Sequence, residues 1–92
     1  MECLKFIVKG KVQGVYYRKF VSLAMNKAKY IGYVKNLPDK SVEVVVKNQD
    51  GLNIKDILDI LYEGSPKSEV SSVEMVECDK DIKFNNSFEV RY

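Results

Sequence analysis

Leu4-Lys5-Phe6-Ile7-Val8-Lys9-Gly10-Lys11-Val12, followed by Gln13-Gly14-Val15-Tyr16-Tyr17-Arg18, is the stretch from which the fold is read. Its even positions Leu4, Phe6, Val8 and Val12 are apolar around Gly10, while Lys5, Lys9 and Lys11 occupy odd ones. That is the two-residue period of a strand with one buried face. Past Gly14 the period lengthens, and Phe20, Leu23, Ala24, Lys27 and Ala28, with Val21 and Met25 alongside, fall at helical spacing. The spacing predicts a strand, a glycine-containing loop and a helix running to about Ala28.

Working outward, Tyr30 to Asn36 is rich in β-branched and aromatic residues, and Leu37-Pro38-Asp39-Lys40 carries turn chemistry. Ser41 to Lys47 places Val42, Val44 and Val46 on one face, which completes a hairpin. Asp50 or Asn53 can cap a second helix with apolar positions Ile54, Ile57, Leu58 and Leu61, ended by Gly64 and Pro66. Val70 to Cys78 reads as a further strand and Ser87 to Tyr92 as a short final one. The order β-α-β-β-α-β plus a terminal strand predicts a single α+β domain over residues 1–92. The expected architecture is a ferredoxin-like α/β sandwich, an antiparallel sheet with both helices on one face and a short C-terminal strand.

Composition restricts the chemistry. Hydrophobic residues make up 46% and charged residues 30% of 92, enough for a core and for solubility, which excludes a disordered chain. No apolar run approaches the ~18 residues of a membrane span, and Met1-Glu2-Cys3-Leu4-Lys5 lacks a secretory pattern, so no membrane and a cytoplasmic location are expected. The absence of His removes the usual general base, the usual metal ligand and every His-activated nucleophile. Cys3 and Cys78 are too few for structural zinc and too far apart for a redox Cys-x-x-Cys, so no metal is expected. They begin the first strand and end the fourth, which should be antiparallel neighbours. A cytosolic setting argues for reduced thiols, although bridging so long a loop is worth roughly 4–5 kcal/mol in the chain-entropy model. Residues 1–40 hold nine bases against two acids, whereas residues 41–92 hold six against eleven. The basic first half suits either an anionic ligand or a solvated lysine face.

Gly10 to Arg18 joins the first strand to the first helix. A glycine-bearing loop that enters a helix N-terminus points unpaired N–H groups into one concavity, and the helix dipole favours an anion there. Arg18 can add a planar fork of donors. Read locally, the same residues also fit a plain turn with a solvated arginine. No Gly-Lys-Ser/Thr follows, so a nucleotide-triphosphate loop is excluded.

The stretch Gly10-Lys11-Val12-Gln13-Gly14-Val15-Tyr16-Tyr17-Arg18 resembles the first signature of the acylphosphatase family, and Gly32-Tyr33-Val34-Lys35-Asn36 resembles the second. Leu37-Pro38-Asp39, Ser41-Val42-Glu43, Gly64-Ser65-Pro66 and Phe88 to Tyr92 look like the family as well. The resemblance implies hydrolysis of acyl phosphates to a carboxylate and inorganic phosphate, without a metal or a cofactor. It makes Arg18 and the backbone amides of Gln13, Gly14, Val15, Tyr16, Tyr17 and Arg18 the phosphate cradle, and Asn36 the residue that orients the attacking water. It also implies a monomer acting on a small molecule, with no nucleic acid. A mixed anhydride carries a good leaving group, so positioning and charge stabilisation can replace a strong base. Arg18 follows the first strand and Asn36 ends the second, which runs the same way, so both are expected at one edge of the sheet.

Lys29, Lys40 and Asn48 stand where the family usually has Gly. Each Lys costs on the order of 1 kcal/mol if its backbone must be left-handed, while Asn tolerates that conformation better. Two other readings share the topology. An RNA-recognition module needs stacking aromatics, yet Ser41 to Lys47 contains none. A non-catalytic phosphate-binding relative would keep the cradle and serve another process.

Overall fold

The structure is a computed structural model and describes residues 2–92. Its elements are β1 (Cys3–Lys11), α1 (Tyr17–Lys27), β2 (Gly32–Asn36), β3 (Val42–Lys47), α2 (Ile54–Glu63), β4 (Glu69–Val76) and β5 (Phe88–Arg91). They form one five-stranded sheet in the order β4-β1-β3-β2-β5. Leu4, Phe6 and Val8 of β1, with Val42, Val44 and Val46 of β3, face the helices and meet Val21 and Met25 of α1 and Ile57 and Leu61 of α2. Each such side chain, removed from water, contributes about 1.5–3 kcal/mol. The ferredoxin-like α+β arrangement is therefore present.

The wholly antiparallel sheet is corrected at one edge. β4-β1, β1-β3 and β3-β2 pair antiparallel, but β5 lies parallel to β2, with Gly32 opposite Phe88 and Lys35 opposite Arg91. The direction follows from the connection. β4 runs against β1 and hence against β2; the chain leaves it at the end where β2 starts and re-enters the sheet at that same end. Ile82 and Phe84 of this connection pack on Cys3, Tyr33 and Val45, so the sheet face opposite the helices has a small core of its own.

The buried face of α1 also differs from the predicted one. Tyr17, Val21 and Met25, spaced four apart, are buried, while Phe20 and Leu23 are exposed. Tyr17 decides the rotation of the helix: its ring is in the core and its hydroxyl donates to the Leu61 carbonyl at 2.8 Å. Burial pushes the Tyr17 phenol far above its ordinary value, so it stays a neutral donor. In α2 the cap is Asn53, not Asp50, because Asn53 Oδ1 accepts from the Asp56 amide at 3.2 Å.

α1 ends in a left-handed closure: the Lys29 amide donates to Asn26 O at 3.0 Å and the Tyr30 amide to Met25 O at 2.9 Å. Lys29 has φ 65° and Lys40, in the β2–β3 turn, φ 74°. Asn48 is not among the described residues with positive φ, and its amide donates to Glu2 O at 3.0 Å. Of these three positions, the two lysines therefore carry the left-handed cost. Replacing either by Gly is expected to stabilise by about 1 kcal/mol, a rise of roughly 4–8 °C in Tm for a domain of this size. Differential scanning calorimetry of Lys29→Gly and Lys40→Gly checks this, and an unchanged or lower Tm contradicts it.

Cys3 and Cys78 form a disulfide, with Cα atoms 6.0 Å apart, where reduced thiols were expected from a cytosolic setting. The antiparallel β1–β4 pairing makes them neighbours, and geometry rather than compartment decides that they can join. The bridge spans 75 residues. Its reduction is expected to cost about 2–4 kcal/mol, equivalent to about 10 °C or more in Tm. Thermal scans with and without reductant, against a Cys3→Ala/Cys78→Ala control that reductant leaves unmoved, read this directly.

Candidate functional site

The backbone from Val12 to Tyr16 leaves β1 and folds into the N-terminal mouth of α1. Tyr16 precedes the helix with φ 61° and ψ 22°, and no side chain caps the first turn. Gly14 has φ 73° and open space around it, so what it supplies is the backbone conformation. Gly10 has a different task from the one read in the sequence. It lies within β1 at a register shift, and a side chain there would run into the Glu69 carbonyl and the Ser71 amide of β4. It shapes the sheet edge rather than the loop.

Among the described residues, no protein acceptor takes the amide hydrogens of Gln13 to Lys19; the first helical bond is from Phe20 N to Tyr16 O at 3.1 Å. Two anchors orient these groups. Ser65, buried, donates its hydroxyl to the Val15 carbonyl at 2.6 Å, and in a trans peptide the following N–H, that of Tyr16, points the opposite way. The Tyr16 carbonyl faces Phe20 down the helix, so the Tyr17 N–H points out of its mouth. The side chains of Val15 and Tyr17 are buried, so these two residues offer the site their backbone only. The Gln13 side chain points elsewhere too: its amide donates to Leu37 O at 3.0 Å and Ser41 O at 2.9 Å, tying the loop to the β2–β3 turn.

That tie matters because Asn36 ends β2 immediately before the turn. Arg18 and Asn36 line the same pocket of about 620 Å³, together with Gln13, Gly14, Tyr16 and Tyr17. The expected shared edge is thus present. Asn36 Oδ1 is buried with no hydrogen-bond partner among the described residues. A buried polar atom left unpaired costs about 1–3 kcal/mol, and such orphans concentrate where a ligand supplies the missing partner. Arg18 is half-buried: its Nη1 donates to the Arg91 carbonyl at 3.2 Å and its guanidinium carbon lies 4.7 Å from the centre of the Tyr92 ring. Five donors in a fixed fork leave several free after that one bond.

The strand that holds Arg18 is itself fastened to α1. Asn26 exchanges two bonds with the Phe88 backbone, accepting from its N–H at 2.8 Å and donating to its carbonyl at 2.9 Å. The Arg91 side chain bonds Glu89 and Lys83 O and covers the Tyr33 ring at 4.1 Å. Sequence reasoning missed Ser65, Asn26 and the side-chain task of Gln13. Gly64-Ser65-Pro66 and the Gln between Val12 and Gly14 were visible, but nothing in their spacing names a partner 50 or 24 residues away.

Among the described residues, neither carboxylate, thiol nor imidazole side chains line the pocket, whereas Arg18 and Lys19 do. Free amides at a helix mouth beside a fixed guanidinium give a small α+β domain a set of donors, at one edge of its sheet, of the kind that suits an anion. A family model described as Acylphosphatase matches residues 4–90. An acylphosphatase of Dehalococcoides mccartyi is 43% identical over 80% of this chain and 81% of its own. One from Caldivirga maquilingensis is 38% identical over 97% of this chain and 93% of its own. The crystal structure of acylphosphatase from Bacillus subtilis superposes with a TM-score of 0.82 at 30% identity, covering 98% of both chains. The chain belongs to the acylphosphatase family, a family of hydrolases.

Proposed function

We propose that this chain hydrolyses acyl phosphates, R–CO–OPO₃²⁻ + H₂O giving R–COO⁻ and H₂PO₄⁻, with Arg18 and the amides of residues 13–18 gripping the phosphoryl group and Asn36 aiming the water. The observation that carries the assignment is the pairing in one pocket of unsatisfied amides beside Arg18 with the orphaned Asn36 oxygen. Donors meet the phosphoryl oxygens, and the Asn36 oxygen takes a hydrogen from the water. The water oxygen bonds to phosphorus as the P–O bond to the carboxylate breaks, and the water's proton passes to a phosphoryl oxygen. Phosphoryl transfer through a loose transition state asks mainly for positioning and charge stabilisation.

The working unit in this reading is one cytoplasmic monomer, a single domain of residues 1–92, acting on a small molecule without metal or nucleic acid. Every group invoked comes from one chain. The sheet face that an RNA-recognition module would use for stacking is occupied by Ile82 and Phe84, which supports the enzyme over that alternative.

The test is hydrolysis of benzoyl phosphate with a chelator present. The expected rate is undiminished by chelator and competitively inhibited by inorganic phosphate. Because no histidine, carboxylate or thiol side chain lines the pocket among the described residues, kcat is expected to be flat across roughly pH 6 to 8. Loss of activity with chelator, or an ionisation inside that range, contradicts the mechanism.

A further inference from the structure

The pocket that holds the cradle also has an apolar part to its lining. Leu23 lies one turn beyond Lys19 on α1, lines the pocket and is 57% exposed, an unusual position for a leucine on a helix whose buried face is elsewhere. Val90 of β5 lines the same pocket, as do Tyr16 and Tyr92, 73% and 93% exposed. Exposed apolar groups gathered around a polar site mark a binding surface more often than scattered ones do. Resting on the phosphate reading above, we infer that Leu23, Val90, Tyr16 and Tyr92 form the subsite for the acyl group and select uncharged, apolar acyl chains.

Distance supports one occupant. Leu23 is five residues beyond Arg18, so it stands about 7–8 Å further along the helix axis. With phosphorus held beside Arg18, the carbonyl is one bridging oxygen away, and an acyl chain of four to six carbons spans the remainder. Acetyl phosphate stops short of Leu23, whereas a longer chain lies along it. Lys19, one turn before Leu23, also lines the pocket, and its charge makes a carboxylate-bearing acyl group the rival occupant.

The experiment measures kcat/KM of the full chain on acetyl, butyryl, hexanoyl and succinyl phosphates, whose anhydride bonds share one chemistry. Each methylene laid on a half-open apolar wall is expected to add about twofold, so hexanoyl phosphate should exceed acetyl phosphate by about tenfold or more. Leu23→Asp should cut that ratio to about threefold or less. Tyr62→Ser, at an exposed aromatic of α2 outside the pocket, should leave it unchanged. A flat series, a ratio that survives Leu23→Asp, or succinyl phosphate outrunning butyryl phosphate overturns the inference while leaving acyl phosphate hydrolysis intact. Absence of hydrolysis on every substrate instead overturns the proposed function, and the subsite with it.

Discussion

Replacing Arg18 by alanine is expected to lower kcat/KM for any acyl phosphate by about 10³-fold or more, the scale on which a charged clamp acts on a phosphoryl group in transit. The guanidinium is held from two sides, by the Arg91 carbonyl and the Tyr92 ring, before any ligand arrives. Little reorganisation remains to be done when charge spreads over the phosphoryl oxygens. Arg18→Lys keeps the charge but loses the planar fork and its bond to Arg91, so it should recover less than a tenth of the loss, an order-of-magnitude expectation from the difference between the two side chains. The fold should survive: one hydrogen bond to a carbonyl is worth about 1–3 kcal/mol net, and the core residues of α1 are untouched. Steady-state kinetics with a thermal scan of the same preparations separate lost catalysis from lost structure. Full activity in Arg18→Ala would contradict the role.

Asn36→Ala is expected to act differently. A group that aims water rather than holding phosphate should lower kcat by about 10²-fold or more while KM changes little. Its effect on stability should be small. Removing an oxygen that is buried and has no partner among the described residues gives up no protein hydrogen bond, so the variant should be about as stable as the parent. Parity in Tm beside a collapse in kcat is the pattern of a residue kept for function rather than for stability. A raised KM with unchanged kcat would instead place Asn36 among the phosphate-binding groups.

Much of this was legible in the sequence, for physical reasons. The alternation of β1 and the Val42-Val44-Val46 face of β3 set the sheet, because a period of two survives any later packing. Asn36 and Arg18 could be placed at one edge because the connections determine strand direction. Packing choices escaped the sequence. The rotation of α1 is set by Tyr17 reaching Leu61, a contact 44 residues away, so Phe20 and Leu23 read as core and are exposed. The start of α1 lacked the usual polar cap because its amides are left free, and Tyr16 takes the left-handed position with no composition signal. The parallel pairing of β5 depends on which end the connection re-enters. The Cys3–Cys78 bridge depends on proximity that topology allowed but compartment argued against. The acyl wall was invisible because Leu23 shares the helical period with true core residues, and only the fold shows which way it faces.

The central claim is that Arg18 and the amides at the mouth of α1 hold the phosphoryl group while Asn36 serves the water. Binding of inorganic phosphate, titrated by calorimetry into the parent, Arg18→Ala and Asn36→Ala proteins, tests it without any turnover. Phosphate should bind the parent and Asn36→Ala with similar affinity and lose about tenfold or more in Arg18→Ala, as the removal of a charge-assisted bond requires. Equal affinity in the parent and Arg18→Ala would contradict the account.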